Sequence, residues 1–174
     1  NGIVQSDNIN NILSRFNDIK KIKLTLIGHG ENVFNPKLFG GKTVNDLYTN
    51  IIKPKLQHLL EREGVILKNK YLKINILGCY MFTPKVDINS TFVGKLFNKI
   101  SRDLQSKGFS KNQLEISANK YAIRINREGK REVLDYFGKW VSNTDLIAEQ
   151  ISNKYVVYWN EVENTLSARV ERSE

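Results

Sequence analysis

Two short apolar runs limit what this chain can become. KIKLTLIG (residues 21–28) and YLKINILG (residues 71–78) are each the length of one β-strand, and each ends in glycine. Between them, KTVNDLYTNIIKPKLQHLLERE (residues 42–63) places Leu47, Ile51, Ile52, Leu56, Leu59 and Leu60 at helical spacing. Strand, helix and strand at this separation form a βαβ unit, and its strands are parallel because the crossover helix returns the chain to the same end of the sheet. Parallel neighbours finish on one edge, and open α/β sheets carry their sites at that edge. The first run is followed by His29-Gly30 and the second by Cys79. The βαβ unit therefore brings one of only two histidines and the only cysteine side by side.

The remaining elements follow from the same periodicities. Thr43 with Asp46 forms a capping box at the head of the long helix, and Pro54 is expected to kink or split it. SDNINNILSRFNDIKK (6–21) reads as a helix on Ile9, Ile12, Leu13 and Phe16, capped by Ser6 or Asp7. STFVGKLFNKISRDLQSKG (90–108) reads as an amphipathic helix capped by Ser90 and closed by Gly108. Beyond it the texture changes to short β-type runs: QLEISAN, YAIRIN, REVLDYF, YVVYWN and TLSARV. The NREGK turn joins two of them as a hairpin in which Gly129 supplies the positive φ. A short helix, TDLIAEQIS (144–152), lies between, and there is no internal repeat or low-complexity tract. The first two strands read as buried.

With 174 residues, 40% of them hydrophobic, the chain is expected to bury one core as a single domain spanning 1–174. No apolar run approaches the ~18 residues that a bilayer span requires, so no membrane contact is expected. The polar start NGIVQSDNIN lacks an initiator Met and the features of a signal peptide, and reads as a piece cut from something longer. One cysteine excludes an internal disulfide framework and a multi-cysteine zinc site, and no metal site is expected. The thiol is then either a small buried hydrophobe or a reactive group.

The net charge of +9 favours polyanionic partners. Residues 1–114 hold 18 Lys+Arg against 8 Asp+Glu, whereas residues 115–174 hold 9 against 10. Within the second part KYAIRINREGKR (120–131) still concentrates five cations and one Glu. Nucleic acid is not the expected partner, because no binding motif and no regular alternation of aromatic and basic residues is present. The reading favours a monomer.

A thiol becomes a nucleophile when a base favours the thiolate, and an imidazole with an ordinary pKa near ~6.5 can take that proton. Gly28, Gly30 and Gly78 allow sharp turns and close backbone approach at the two tips. The backbone N–H groups after these glycines, at Gly30 and around Gly78 and Cys79, are candidates for an oxyanion hole. The chemistry this suggests is acyl transfer, with Cys79 attacking a peptide carbonyl and His29 moving the proton. His58 reads as a surface or packing residue on the long helix.

KIKLTLIGHGENVFN, KINILGCYMF, GKLFNKIS and ISANKYAIRINREGKREVLDYFGKWV together closely resemble the autoprocessing cysteine protease domain of the large clostridial glucosylating toxins, with a more distant likeness to the MARTX toxins. The likeness runs from about Lys21 to Asn164. It implies an α/β, caspase-like sheet with a parallel βαβ core flanked by helices, and a C-terminal β-hairpin flap at residues 120–140. It also implies an enzyme that cuts its own polypeptide after a leucine, releases an effector domain in the host cytosol, and is switched on by inositol hexakisphosphate. Carried over by position, His29 and Cys79 match the catalytic pair. Lys23, Arg124, Lys130, Arg131 and Lys154 match phosphate-gripping cations, with Arg169 and Arg172 near a further such position. Trp140 matches a flap tryptophan that couples the two sites. The lone thiol suits a reducing cytosol.

Two departures from the family pattern stand out. The family carries a further region before the first strand, including an Asp that orients the catalytic His. Only about twenty residues precede that strand here, and Asp18 lies at its wrong end. The expectation is thus either a fragment without its N-terminal portion or a Cys–His dyad. Asn143 stands where many relatives have a phosphate-binding Lys, and Glu171 stands where a cation is expected. The alternatives are a constitutive caspase-like protease that needs no polyphosphate, and a catalytically silent polyphosphate-binding module.

Overall fold

The structure, a computed structural model, describes residues 21–58, 71–84, 86–134, 137–142 and 154–171. Among them are eight strands: β1 (Lys21–Ile27), β2 (Tyr71–Leu77), β3 (Leu114–Asn119), β4 (Ile123–Ile125), β5 (Arg131–Leu134), β6 (Trp140–Ser142), β7 (Lys154–Asn160) and β8 (Thr165–Val170). A five-stranded sheet has the order β1-β2-β3-β7-β8. The β1-β2 and β2-β3 pairs are parallel, and β3-β7 and β7-β8 are antiparallel. This mixed α/β sheet with a parallel βαβ core agrees with the caspase-like arrangement the sequence implies. Strands β4, β5 and β6 form a separate antiparallel meander. Its first two strands are the expected hairpin, closed by Gly129 at φ 78°. Its third, three half-buried residues long, carries too little periodicity to be marked from sequence.

Helix α1 starts at Val44–Leu47, opens into a π-turn over Tyr48–Ile52, and continues helically through 53–58. Thr43 caps it as expected: its hydroxyl oxygen accepts from the Asp46 N–H at 3.2 Å while the hydroxyl donates to the Asp46 carboxylate at 2.8 Å. Pro54 offers no N–H, and its ring crowds the preceding turn. The widened turn just ahead of it relieves that crowding, so the helix bulges instead of splitting.

Helix α2 (Phe92–Ser106) buries Phe92, Val93, Leu96, Phe97, Ile100 and Leu104. Its cap is Thr91, not Ser90. Thr91 is extended and accepts from the Gly94 N–H at 3.0 Å, whereas Ser90 ends a preceding 3₁₀ turn and its hydroxyl donates to the Asp87 carbonyl. Gly108 lies just beyond the helix at φ 86°. The expected helices at 6–21 and 144–152 lie largely or wholly outside the described residues.

The two faces of the large sheet differ in character. Leu26, Ile74, Ile76, Leu114, Ile116, Ala118, Val157 and Leu166 enter the same core as the buried stripe of α2. The alternate positions carry Lys21 and Lys23 on β1, Lys73 and Asn75 on β2, Glu115 and Ser117 on β3, Lys154 on β7 and Arg169 on β8. Strand β1 is therefore not the buried strand its sequence suggests. As the edge of the sheet it fully buries only Leu26 and leaves Lys21 and Lys23 exposed.

Candidate active site

The register of the parallel pair decides what meets at the edge. Ile27 lies opposite Leu77, so Gly28 and Gly78 leave the sheet together, and the Gly28 N–H donates to the Leu77 carbonyl at 3.1 Å. His29 and Cys79 follow as neighbours. The contact is close: a Cβ placed on Gly30 would lie 1.7 Å from the Cys79 carbonyl oxygen, and one on Gly28 or Gly78 would strike the ring of Phe39 at 2.9 or 2.8 Å. Phe39 is buried beneath both tips and is bridged to Gly30. The glycines thus let the two tips and one aromatic ring share a space that no side chain could also enter.

The loop after His29 is tied down. The Gly40 N–H donates to the His29 carbonyl at 2.7 Å, and the Glu31 carboxylate accepts from the N–H groups of Lys37 and Leu38 at 2.8 and 3.0 Å. Glu31 is thereby committed to the loop and not to the imidazole. His29 itself is exposed and Cys79 is half-buried. After Cys79 the backbone turns through Tyr80 at φ 55°, a left-handed conformation costly for a tyrosine. The Tyr80 N–H donates to the Tyr121 carbonyl at 3.3 Å, and the Phe82 N–H to the Asn119 carbonyl at 3.0 Å. The thiol is engaged by the first residue of β4: it donates to the Ile123 carbonyl at 3.4 Å and accepts from the Ile123 N–H at 3.5 Å. A link between the cysteine and the small meander is therefore built into the backbone.

The cations divide into two groups. On the meander, Arg124 pairs with Glu132 at 2.6 Å and lies 4.4 Å from the centroid of the Trp140 ring. That guanidinium and Asn126 hold the Glu132 carboxyl below its usual range. Lys130 pairs with Glu128 at the exposed hairpin tip.

The second group occupies the polar face of the sheet. Lys154 is half-buried, and burial followed by repulsion from Lys73, Lys23 and Arg131 pushes it down from 10.5 to about 8. Lys73 is only 8% exposed, and its pKa is lowered by burial and then by Lys21, with Glu115 opposing. Arg131 is lowered by burial, and its Nε has no partner among the described residues. Arg169 donates to Glu115 at 2.7 Å and stacks over Tyr158. The structure thus brings Lys23, Arg131, Lys154 and Arg169 onto one surface and leaves Arg124 and Lys130 with partners on the meander. Arg172 lies outside the described residues.

Sequence reasoning missed Lys73. The signal was available, since Lys73 precedes Cys79 by the six residues that separate Lys23 from His29. In-register parallel strands must pair such positions, and Lys23 does lie opposite Lys73. Phe39 and Ile123 were also missed, and nothing in their local pattern marks them.

The family model for the Peptidase C80 family matches residues 5–134, which include both tips and the first hairpin of the meander. The chain belongs to the peptidase C80 family. It is 99% identical over 172 residues to Toxin A of Clostridium novyi, covering 99% of this chain and 8% of that protein. It is 40% identical over 149 residues to Cytotoxin-L of Paraclostridium sordellii and 38% identical over 159 residues to Toxin B of Clostridioides difficile, covering 84% and 89% of this chain and 6% of each relative. The chain is therefore a cysteine peptidase domain of the large clostridial toxin group, and it spans less than a tenth of the length of these relatives.

Proposed function

We propose that this domain is an inositol hexakisphosphate-activated peptidase that cleaves its own toxin polypeptide after a leucine and so releases an effector domain in the host cytosol. The observation that carries the reading is the position of His29 and Cys79 just beyond the in-register ends of adjacent parallel strands, with Gly30 pressed against the Cys79 carbonyl. His29 takes the thiol proton, and Cys79 Sγ adds to the scissile carbonyl carbon. The oxyanion is held by the Cys79 N–H; the Tyr80 N–H is already engaged by Tyr121. As the tetrahedral species collapses, His29 returns the proton to the leaving amine, and water then hydrolyses the thioester.

The Cys79–Ile123 contacts support allosteric control. The strand that holds the thiol belongs to the meander that also carries Arg131, a member of the cationic surface. A polyphosphate that prefers one placement of the meander shifts the population of thiol arrangements by that difference in affinity. The test is self-cleavage of a longer toxin polypeptide containing this domain. Inositol hexakisphosphate should yield two fragments with a new C-terminal leucine, and Cys79→Ala should yield none. Cleavage that persists in Cys79→Ala overturns the assignment.

A further inference from the structure

The cationic face carries a carboxylate of its own between its two most buried lysines. Glu171 follows β8, its N–H donating to the Lys154 carbonyl at 2.8 Å. Its side chain pairs with both Lys73 and Lys154, at 2.5 Å to the latter. The second acidic residue of the face, Glu115, differs. It pairs with Lys21 and Arg169, whose side chains are 50% and 48% exposed, against 10% and 20% for Lys73 and Lys154. Exposed pairs are screened by water and exchange partners at little cost. Buried lysines stripped of their counter-ion are penalised heavily.

We propose that Glu171 is a built-in competitor for the anionic ligand of this face, and that Lys73 and Lys154 are the two cations over which carboxylate and ligand phosphate compete. The inference rests on the polyphosphate reading above and deepens it from a binding surface to a selectivity device. A ligand must displace or tolerate Glu171 before it can hold the two buried ammonium groups. One phosphate group replaces one carboxylate and gains little. Several phosphates on one scaffold engage Lys73 and Lys154 while also reaching Lys23, Arg131 and Arg169, so only a densely charged ligand overcomes the carboxylate. The same balance lets the domain bury Lys73 on a face crowded with cations when no ligand is bound: Glu171, with Glu115 beside it, supplies the charge that a phosphate supplies later. Like charges forced together across a binding surface weaken it, and removing the resident anion should strengthen it.

The experiment is calorimetric titration of wild type, Glu171→Gln and Lys154→Ala with inositol hexakisphosphate and with inorganic tripolyphosphate. Glu171→Gln should bind inositol hexakisphosphate about tenfold tighter than wild type. Its gain for tripolyphosphate should be larger, so that the preference between the ligands narrows. Equal or weaker binding by Glu171→Gln, with Lys154→Ala still impaired, overturns the competitor role while leaving the polyphosphate site in place. Wild-type affinity in Lys154→Ala overturns both, because the ligand then sits elsewhere. Should Glu171→Gln fold poorly, Glu171→Asp, whose shorter carboxylate cannot span both lysines, must show intermediate tightening; a loss of affinity there counts against the proposal equally.

Discussion

The two faces of the five-stranded sheet are made by alternate residues of the same strands, yet they answer to different physics. The face packed with α2 is mostly apolar, with Ile74, Ile76, Leu114, Ile116 and Val157 buried. The opposite face buries Lys73, Asn75, Ser117 and Asn119 and gathers Lys23, Lys154, Arg131 and Arg169 around two carboxylates. The first face stabilises the fold by removing hydrocarbon from water. The second holds like charges together at a cost, which the proposed polyphosphate would offset. If this division holds, substitutions on the first face cost stability whatever the ligand, and substitutions on the second change ligand response more than stability.

The sharpest way to break the comparison is Phe97→Ala on α2. Phe97 is fully buried, and its truncation should cost about 3–5 kcal/mol in denaturant unfolding, with thiol reactivity and polyphosphate binding lost together as the fold loosens. Lys73→Met on the other face should do the reverse. It should leave the unfolding free energy near that of wild type and weaken polyphosphate binding about tenfold, read by calorimetry. A large stability loss in Lys73→Met would erase the distinction between the faces.

A pH titration sharpens it further. Lys154 titrates near 8 on the ligand-free face instead of at 10.5. A bound polyphosphate favours the ammonium, so binding takes up a proton above about pH 8, and affinity should fall with rising pH by up to about tenfold per unit. The sign for folding is opposite. Between about 8 and 10.5 the unfolded chain holds more protons than the folded one, so Lys154 contributes a gain in stability as pH rises through that window. Lys154→Arg should flatten both dependences. The smallest expected effect is Thr91→Ala at the α2 cap, about 1 kcal/mol of stability with ligand affinity unchanged.

The sequence made the apolar face legible because its signal is local and repeated. Short apolar runs marked β1 and β2, a β-type run marked β3 and helical spacing marked α1 and α2, and the βαβ rule then placed His29 beside Cys79 without any side-chain information. Where local signals competed, the reading slipped by small amounts. Ser90 and Thr91 are both good caps, and only the backbone angles choose Thr91; Pro54 forbids a regular turn, but neighbouring residues decide that the helix bulges. The polar face was legible only in part. Lys23 was marked by the family resemblance, and Lys73 was hidden until register was considered. The pairing of Lys73 with Glu171, ninety-eight positions apart in sequence, is a tertiary fact that no window reveals. The same holds for the contacts of Ile123 with the thiol and of Phe39 with both glycine tips.

The central claim is that Cys79 is a nucleophile served by His29 and controlled from the cationic face. Its most direct test is the rate at which a small electrophile alkylates Cys79, measured with and without inositol hexakisphosphate, in wild type and in His29→Ala. The expected result is a slow rate without ligand, a rate raised at least about tenfold by it, and loss of that increase in His29→Ala. A rate that is unchanged by ligand, or raised equally without His29, would contradict it.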